Sequence, residues 1–549
     1  MLASLLAVLC LAAAVVAPRI VDADRFRPRV ETRLTETLGR KVTLGHLRLS
    51  LLTGLALVAE GVRIGEPRAA EPGAGFEIAA GRVLVRPAIL PLLRGEVVVR
   101  SVALGDGAFR AAGRTLAERL SARVRLGRAE DGSSRISGRI AGSLPAFPGA
   151  PDFRADFDAS ILSDRLKLAS LRAETDAGRL DAEGEVEGIA TGRLRVSLRG
   201  ETEIGRSRAS GTVTVSGLAA DRPELEFRVT SPLVDFDELA RLAGVRRPES
   251  PSAGLLGALL PVAFAAETPP RAEFLSRWTG GGTIEAARGR LAGLEMTGLF
   301  ARVKLERGTV RFEDATFALY GGRHVGSLEL DLVSRGAPFR LASRLEGVDS
   351  DRLLTALDAS RGGVLHGIAA LALDVAGEAG AGPVAGSIRG SARAELKDGR
   401  FVSVGILKQV AQILEMAGGR GIGRDETPFD HVSASFGVRD GRADTKDLEF
   451  RSADLDLDGG GSVGLAGSLA LDVTASFSKR ASADLVRETP QLKFRLDPDG
   501  RLTMPLKIRG DVKTPLVQLD LDRVLQEGLE RSARDRGRKG LLRRLLGGE

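Results

Sequence analysis

The chain has 549 residues, 43% hydrophobic and 28% charged, the composition of a folded polypeptide and not of a disordered one. Its formal charge of +7 is unevenly placed: Arg531, Arg534, Arg536, Arg538, Lys539, Arg543 and Arg544 stand against Asp535 near the C-terminus. The remainder is close to neutral, which argues against a nucleic-acid-binding body, and the single cysteine, Cys10, rules out an internal disulfide and a cysteine-ligated metal.

The chain opens with an apolar run from Leu2 to Ala17, closed by Pro18 and Arg19. At about 1.5 Å per helical residue it reaches roughly 25 Å, a little short of a bilayer core of about 30 Å. Such a run is either a cleaved signal peptide or a retained membrane helix. Ala12, Ala13 and Ala14 offer a cleavage site, whereas Pro18 opposes cleavage after Ala17, and no cation precedes the run. We take residues 1–18 as a retained anchor, with Cys10 a passive apolar residue in it. A short amphipathic helix is predicted next, capped by Asp22 or Asp24, with Phe26, Val30, Leu34 and Leu38 on one face and Gly39 as its stop. Its expected role is a lid on the first strands.

Beyond Arg40 the dominant period is two. Apolar residues alternate at Leu47, Leu49 and Leu51, at Val83 and Val85, and at Leu194, Val196 and Leu198. The pattern recurs at Val213 and Val215, at Leu225, Phe227 and Val229, at Leu328 and Leu330, and at Leu469, Leu471 and Val473. Successive strand residues face opposite sides, so each segment has one apolar and one polar face. Asp106-Gly107, Asp131-Gly132, Lys397-Asp398-Gly399, Asp440-Gly441 and Asp499-Gly500 are predicted to be the turns between segments. Helices are expected only at Asp235 to Ala243, Asp351 to Leu357 and Val404 to Met416. The Pro-, Ser- and Ala-rich stretch 247–270 reads as a linker between β-regions at 19–246 and 271–523, with a basic tail at 524–549. The fold class is therefore mostly β: an elongated, curved, antiparallel sheet with a few short helices, preceded by the membrane helix.

Several segments carry a family resemblance. Arg27-Pro28-Arg29-Val30-Glu31, Leu38-Gly39-Arg40-Lys41-Val42 and Pro91-Leu92-Leu93-Arg94-Gly95-Glu96-Val97 resemble the start of AsmA-family proteins. Ala318-Leu319-Tyr320-Gly321-Gly322, Leu345-Glu346-Gly347-Val348-Asp349 and the stretch from Phe429 to Phe436 are similar to its C-terminal part. Residues 104–280 match only in texture. The resemblance implies an inner-membrane anchor, single-pass, with an elongated β-groove in the bacterial periplasm. It also implies a role in phospholipid transfer or outer-membrane biogenesis, or, alternatively, in scaffolding protein assembly at the membrane.

Physics gives the groove a purpose. Each methylene gains about 0.8 kcal/mol on leaving water, so an acyl chain of about sixteen carbons loses on the order of 12 kcal/mol when it crosses water unprotected. A continuous apolar trough removes most of that barrier without a catalytic group. Alternation alone leaves a closed core equally open, and the resemblance tips the reading to a groove. Its candidate lining is Leu194, Val196, Leu198, Leu328, Leu330, Leu469, Leu471 and Val473, and the expected ligand is phospholipid acyl chains. Arg536, Arg538, Lys539, Arg543 and Arg544 are candidates for an anionic membrane surface, with outer-membrane or envelope proteins as further candidate partners at the C-terminus. Asp454 to Gly459 imitates a calcium loop but has Leu465 at the twelfth position, and its alternation fits a strand with a solvated face. His46, His324, His366 and His431 have no ligand or triad spacing. No enzyme, cofactor or metal is expected.

Overall fold

The computed structural model describes residues 23–526 except 39–40, 51–54, 66–75, 95, 97, 112–113, 129–131, 146–149, 190–193, 218–221, 243–275, 292, 358–361, 380–383, 403–425, 466 and 512–513. The expected anchor, the 247–270 linker, the helix at Val404 to Met416 and the five tail cations lie outside the described residues. Among those described, no helix is long and apolar enough to cross a membrane.

The alternating segments form strands. The first thirteen are β1 (Val42–Thr43), β2 (His46–Ser50), β3 (Ala56–Ile64), β4 (Phe76–Pro87), β5 (Val99–Ala111), β6 (Arg114–Arg128), β7 (Ser134–Ser143), β8 (Asp152–Leu162), β9 (Arg165–Thr175), β10 (Gly178–Glu187), β11 (Arg195–Ile204), β12 (Ser207–Ser216) and β13 (Glu224–Asp235). The others are β14 (Thr279–Leu291), β15 (Leu294–Glu306), β16 (Thr309–Leu319), β17 (Gly322–Asp331), β18 (Pro338–Asp349), β19 (Leu365–Glu378), β20 (Arg389–Val402), β21 (Glu426–Arg439), β22 (Arg442–Arg451), β23 (Leu455–Gly464), β24 (Ser468–Phe477), β25 (Thr503–Asp511) and β26 (Thr514–Leu519). The described helices include α1 (Arg27–Leu38), α2 (Ile89–Leu93), α3 (Phe236–Leu242), α4 (Ser350–Leu357), α5 (Val384–Ser387) and α6 (Lys479–Glu488). The chain divides into two compact units, one centred on β1 to β13 and the other on β17 to β26.

In the first unit each strand pairs antiparallel with its chain neighbour from β2 to β13, while β1 joins β2 along β3. α1 follows a 3-10 turn at Ala23–Phe26 and lies on the first strands, as the lid reading expects. Val30 packs on a small core of Val42, Leu44, Leu47, Ala59 and Val62, while Phe26 stays exposed. The Asp24 carboxylate accepts the Leu47 N–H at 2.9 Å. Glu31 accepts the Leu44 N–H at 2.7 Å, and Thr35 the Val42 N–H at 3.1 Å. These groups sit on the outer side of the first strands, so α1 supplies partners that an edge strand lacks.

In the second unit β17 to β26 form an antiparallel meander whose apolar face closes into two cores. One gathers Leu330, Phe339, Leu341, Val375, Ile388 and Val438. The other gathers Phe450, Leu455, Leu457, Val473 and Leu506 beneath α6 and a following 3-10 turn, Pro490–Arg495. α6, which alternation did not reveal, is capped by the Ser478 hydroxyl and sinks Ala481 and Leu485 into that core. Arg501 holds the cover down through Asp456 at 2.6 Å and the Phe477 carbonyl at 3.0 Å.

Two of the predicted turns are bulges instead. Asp106 and Asp398 lie inside β5 and β20 at φ of 52° and 50°, where β5 against β6 and β20 against β19 each carry an extra residue. Asp440-Gly441 does close a two-residue hairpin between β21 and β22.

Candidate functional site

Directly opposed residues on paired strands share a face, so the register of the first unit assembles its two surfaces residue by residue. One transverse row starts at Val85, Val102, Val124, Gly138, Phe157 and Leu171. It continues through Ala182, Gly200, Gly211 and Val229. Beside it runs a second row of Leu126, Ile136, Ala159, Leu168, Gly184, Leu198, Val213 and Phe227. A third takes Ile161, Leu166, Val186, Val196, Val215 and Leu225. Ten strands spaced about 4.8 Å apart make this apolar face roughly 45 Å across.

Nothing seals it. Among the described residues of β5 to β13, the only buried hydrophobic side chains are the alanines Ala117, Ala155 and Ala159. Every leucine, valine, isoleucine and phenylalanine of the three rows is half-buried. Gly200 and Gly211 face each other at its centre. A Cβ on either would collide with a carbonyl oxygen of the adjoining strand, Asp181 or Arg228, so only glycine lets the backbones close in on the apolar side.

The opposite face is charged. Arg123, Arg139, Asp156, Arg172, Asp181 and Glu201 form one transverse row. Arg139 pairs with Asp156 at 2.8 Å, Arg172 with Asp181 at 2.7 Å, and Arg135 with Asp158. The Arg135 guanidinium holds the Asp158 carboxyl below the usual carboxylate range, and these exposed pairs add solubility more than stability. A depression of about 1640 Å³ opens on this side, because its lining takes alternate residues of each strand, such as Asp156 and Asp158 or Arg199 and Glu201, with the residue between.

The expected lining residues fall into two environments. Leu194, Val196 and Leu198 are half-buried, the latter two within the open rows of the first unit. Leu330 and Val473 are each 1% exposed inside the cores of the second unit, and Leu328, Leu469 and Leu471 pack against those cores. The rows from β7 to β10, with Ile136, Phe157 and Leu168, were not among the expected lining, since glycine, alanine and a bulge after Asp158 interrupt their alternation. Their legible signal is the uniform placement of Arg, Asp and Glu at every second position. The Asp454 to Gly459 stretch behaves as its alternation predicts: Leu455 and Leu457 are core, while Asp456 and Asp458 pair with Arg501 and Arg451.

Comparison with known proteins fits this arrangement. A family model described as the AsmA family matches residues 163–448, whereas no curated protein and no solved structure matches the chain. The match covers just over half of the sequence, from β9 into β22, and on that extent the chain belongs to the AsmA family.

Proposed function

We propose that this protein is an envelope component that holds or conducts phospholipid, with acyl chains lying on the apolar face of β4 to β13. The observation that carries the reading is the absence, among the described residues, of any large buried side chain along a face otherwise apolar from strand to strand. A face of that size left to water would draw partners or aggregate. A bilayer core of about 30 Å is two acyl chains deep, so a face roughly 45 Å across accommodates the tails of a phospholipid. The chemistry needed is burial alone, and the reading includes no catalytic step. The apolar N-terminal run fits an inner-membrane anchor with the body in the periplasm, where such a carrier meets its lipid.

Photo-crosslinking residues placed in the full-length chain test this in cells. At Leu198 or Val213, on the apolar rows, we expect phospholipid adducts detectable by mass spectrometry. At Arg199 or Thr212, on the other face, we expect none. No adduct from the apolar positions, or equal adducts from both faces, overturns the lipid reading and leaves a scaffold for protein assembly.

A further inference from the structure

The charged face is not uniformly neutralised. From β8 onward this face carries carboxylates beside its arginines, Asp156, Asp158, Asp181, Glu183 and Glu201, but on β4 to β7 the same rows carry Arg82, Arg86, Arg123, Arg125, Arg135 and Arg139 without an aspartate or glutamate among them. Arg135 and Arg139 are satisfied from β8 by Asp158 and Asp156. The carboxylate opposite Arg82, Glu60 on β3, is engaged by Arg48. Arg82, Arg123 and Arg125 form no ion pair among the described residues.

The strand between these arginines is small on this face. Ser101, Ala103 and Gly105 of β5 make a floor, with Arg82 and Arg86 on one side and Arg123 and Arg125 on the other. The two walls stand two strand spacings apart, roughly 10 Å. Arg125 lies directly between Ser101 and Ser137, whose hydroxyls can donate beside its guanidinium. Arg82, Arg123, Arg125, Gly105 and Ser137 all border the depression on this side.

The geometry points to an anion site in this furrow whose ligand is a phosphate ester. A guanidinium fork matches two phosphate oxygens, serine hydroxyls complete the tetrahedron, and a furrow this narrow admits a single headgroup or sugar phosphate and not a flat bilayer. It lies on the opposite face from the acyl-chain rows and stands independently of the lipid reading.

The test titrates the full-length protein in a neutral detergent with glycerol 3-phosphate, then with short-chain phosphatidylglycerol and short-chain phosphatidylcholine. Binding of glycerol 3-phosphate supports the site with a soluble ester. Binding of phosphatidylglycerol in preference to phosphatidylcholine, without glycerol 3-phosphate, supports it with a lipid headgroup. In either case R123Q/R125Q should weaken binding by about tenfold or more, S101A/S137A should weaken it less, and D156N, which releases Arg139, should strengthen it. Adducts from Leu198 in the R123Q/R125Q background should be unchanged, which keeps a failure here separate from a failure of the acyl-chain reading. The site is overturned if none of the probes binds, if R123Q/R125Q binds as the parent does, or if acetate competes as well as phosphate.

Discussion

His324 is the one histidine whose environment departs strongly from water. It is 7% exposed, stacks on Phe317 with ring centroids 4.1 Å apart, and shares a hydrogen bond with the Ser343 hydroxyl. Burial pushes its pKa down from 6.5 to about 4, with the Ala315 backbone opposing only in part. Above pH 6.5 the ring is neutral in folded and unfolded chains, and its burial then adds nothing that depends on pH. As pH falls below 6.5 the unfolded chain takes up a proton that the folded one refuses, so stability declines until about pH 4. The expected loss is up to about 3 kcal/mol, and His324→Phe should flatten that part of the slope in denaturant titrations run across the window. The burial of this residue depends on a neighbour across the sheet and has no local signature in the sequence. The same holds for Asp106 and Asp398, which have turn chemistry and sit in bulges: positive φ was legible in Asp-Gly, the partner strand that continues past it was not.

Among the elements, α1 is the plainest case of local sequence serving a distant need. Its apolar period predicts a helix, and a helix forms. Its polar residues and Asp24 of the turn before it, unremarkable in sequence, bind the backbone of residues 42–47, with Arg27 donating to the Gly45 carbonyl at 2.6 Å. Asp24→Ala and Glu31→Ala should each cost about 1 kcal/mol. Amide exchange at Leu47 and Leu44 respectively should accelerate, while exchange in β8 to β12 stays as it was. Unchanged protection at both amides would mean that water replaces the helix there without loss. α6 was missed for the converse reason. Ser478 is a helix-start signal, yet Ala481, Leu485 and Val486 are too few to stand out beside long alternating strands. Its position over the core depends on Ser482, whose hydroxyl accepts the Leu502 N–H at 2.7 Å from the strand side.

For the whole molecule, the same alternating pattern has two outcomes. In the unit of β17 to β26 it closes into cores, with phenylalanines 401, 429 and 450 in mutual ring contact and α6 above them. In the unit of β1 to β13 it leaves a face of half-buried aliphatics. Leu506→Ala should cost about 2–5 kcal/mol, the range of a fully buried leucine, whereas Leu198→Ala should cost less, about 1–2 kcal/mol, since part of its side chain never left water. Denaturant unfolding of the two variants compares them directly. Similar losses would mean that the apolar rows of the first unit are packed as tightly as a core.

The sequence by itself determined the strands, their polar and apolar faces and the family likeness, because a period of two is written locally in every segment. It also placed the short helices at Asp235 and Asp351, where capping residues precede apolar turns. Only the tertiary structure decided which apolar faces are sealed. Val473 and Leu198 sit in indistinguishable alternating runs, and one lies in a closed core while the other lines an open face. The reason is physical: burial is a property of what packs opposite a residue, and that partner lies strands away along the chain. The furrow of arginines on β4 to β6 emerged in the same way, since no segment carries it and only the register brings its walls together.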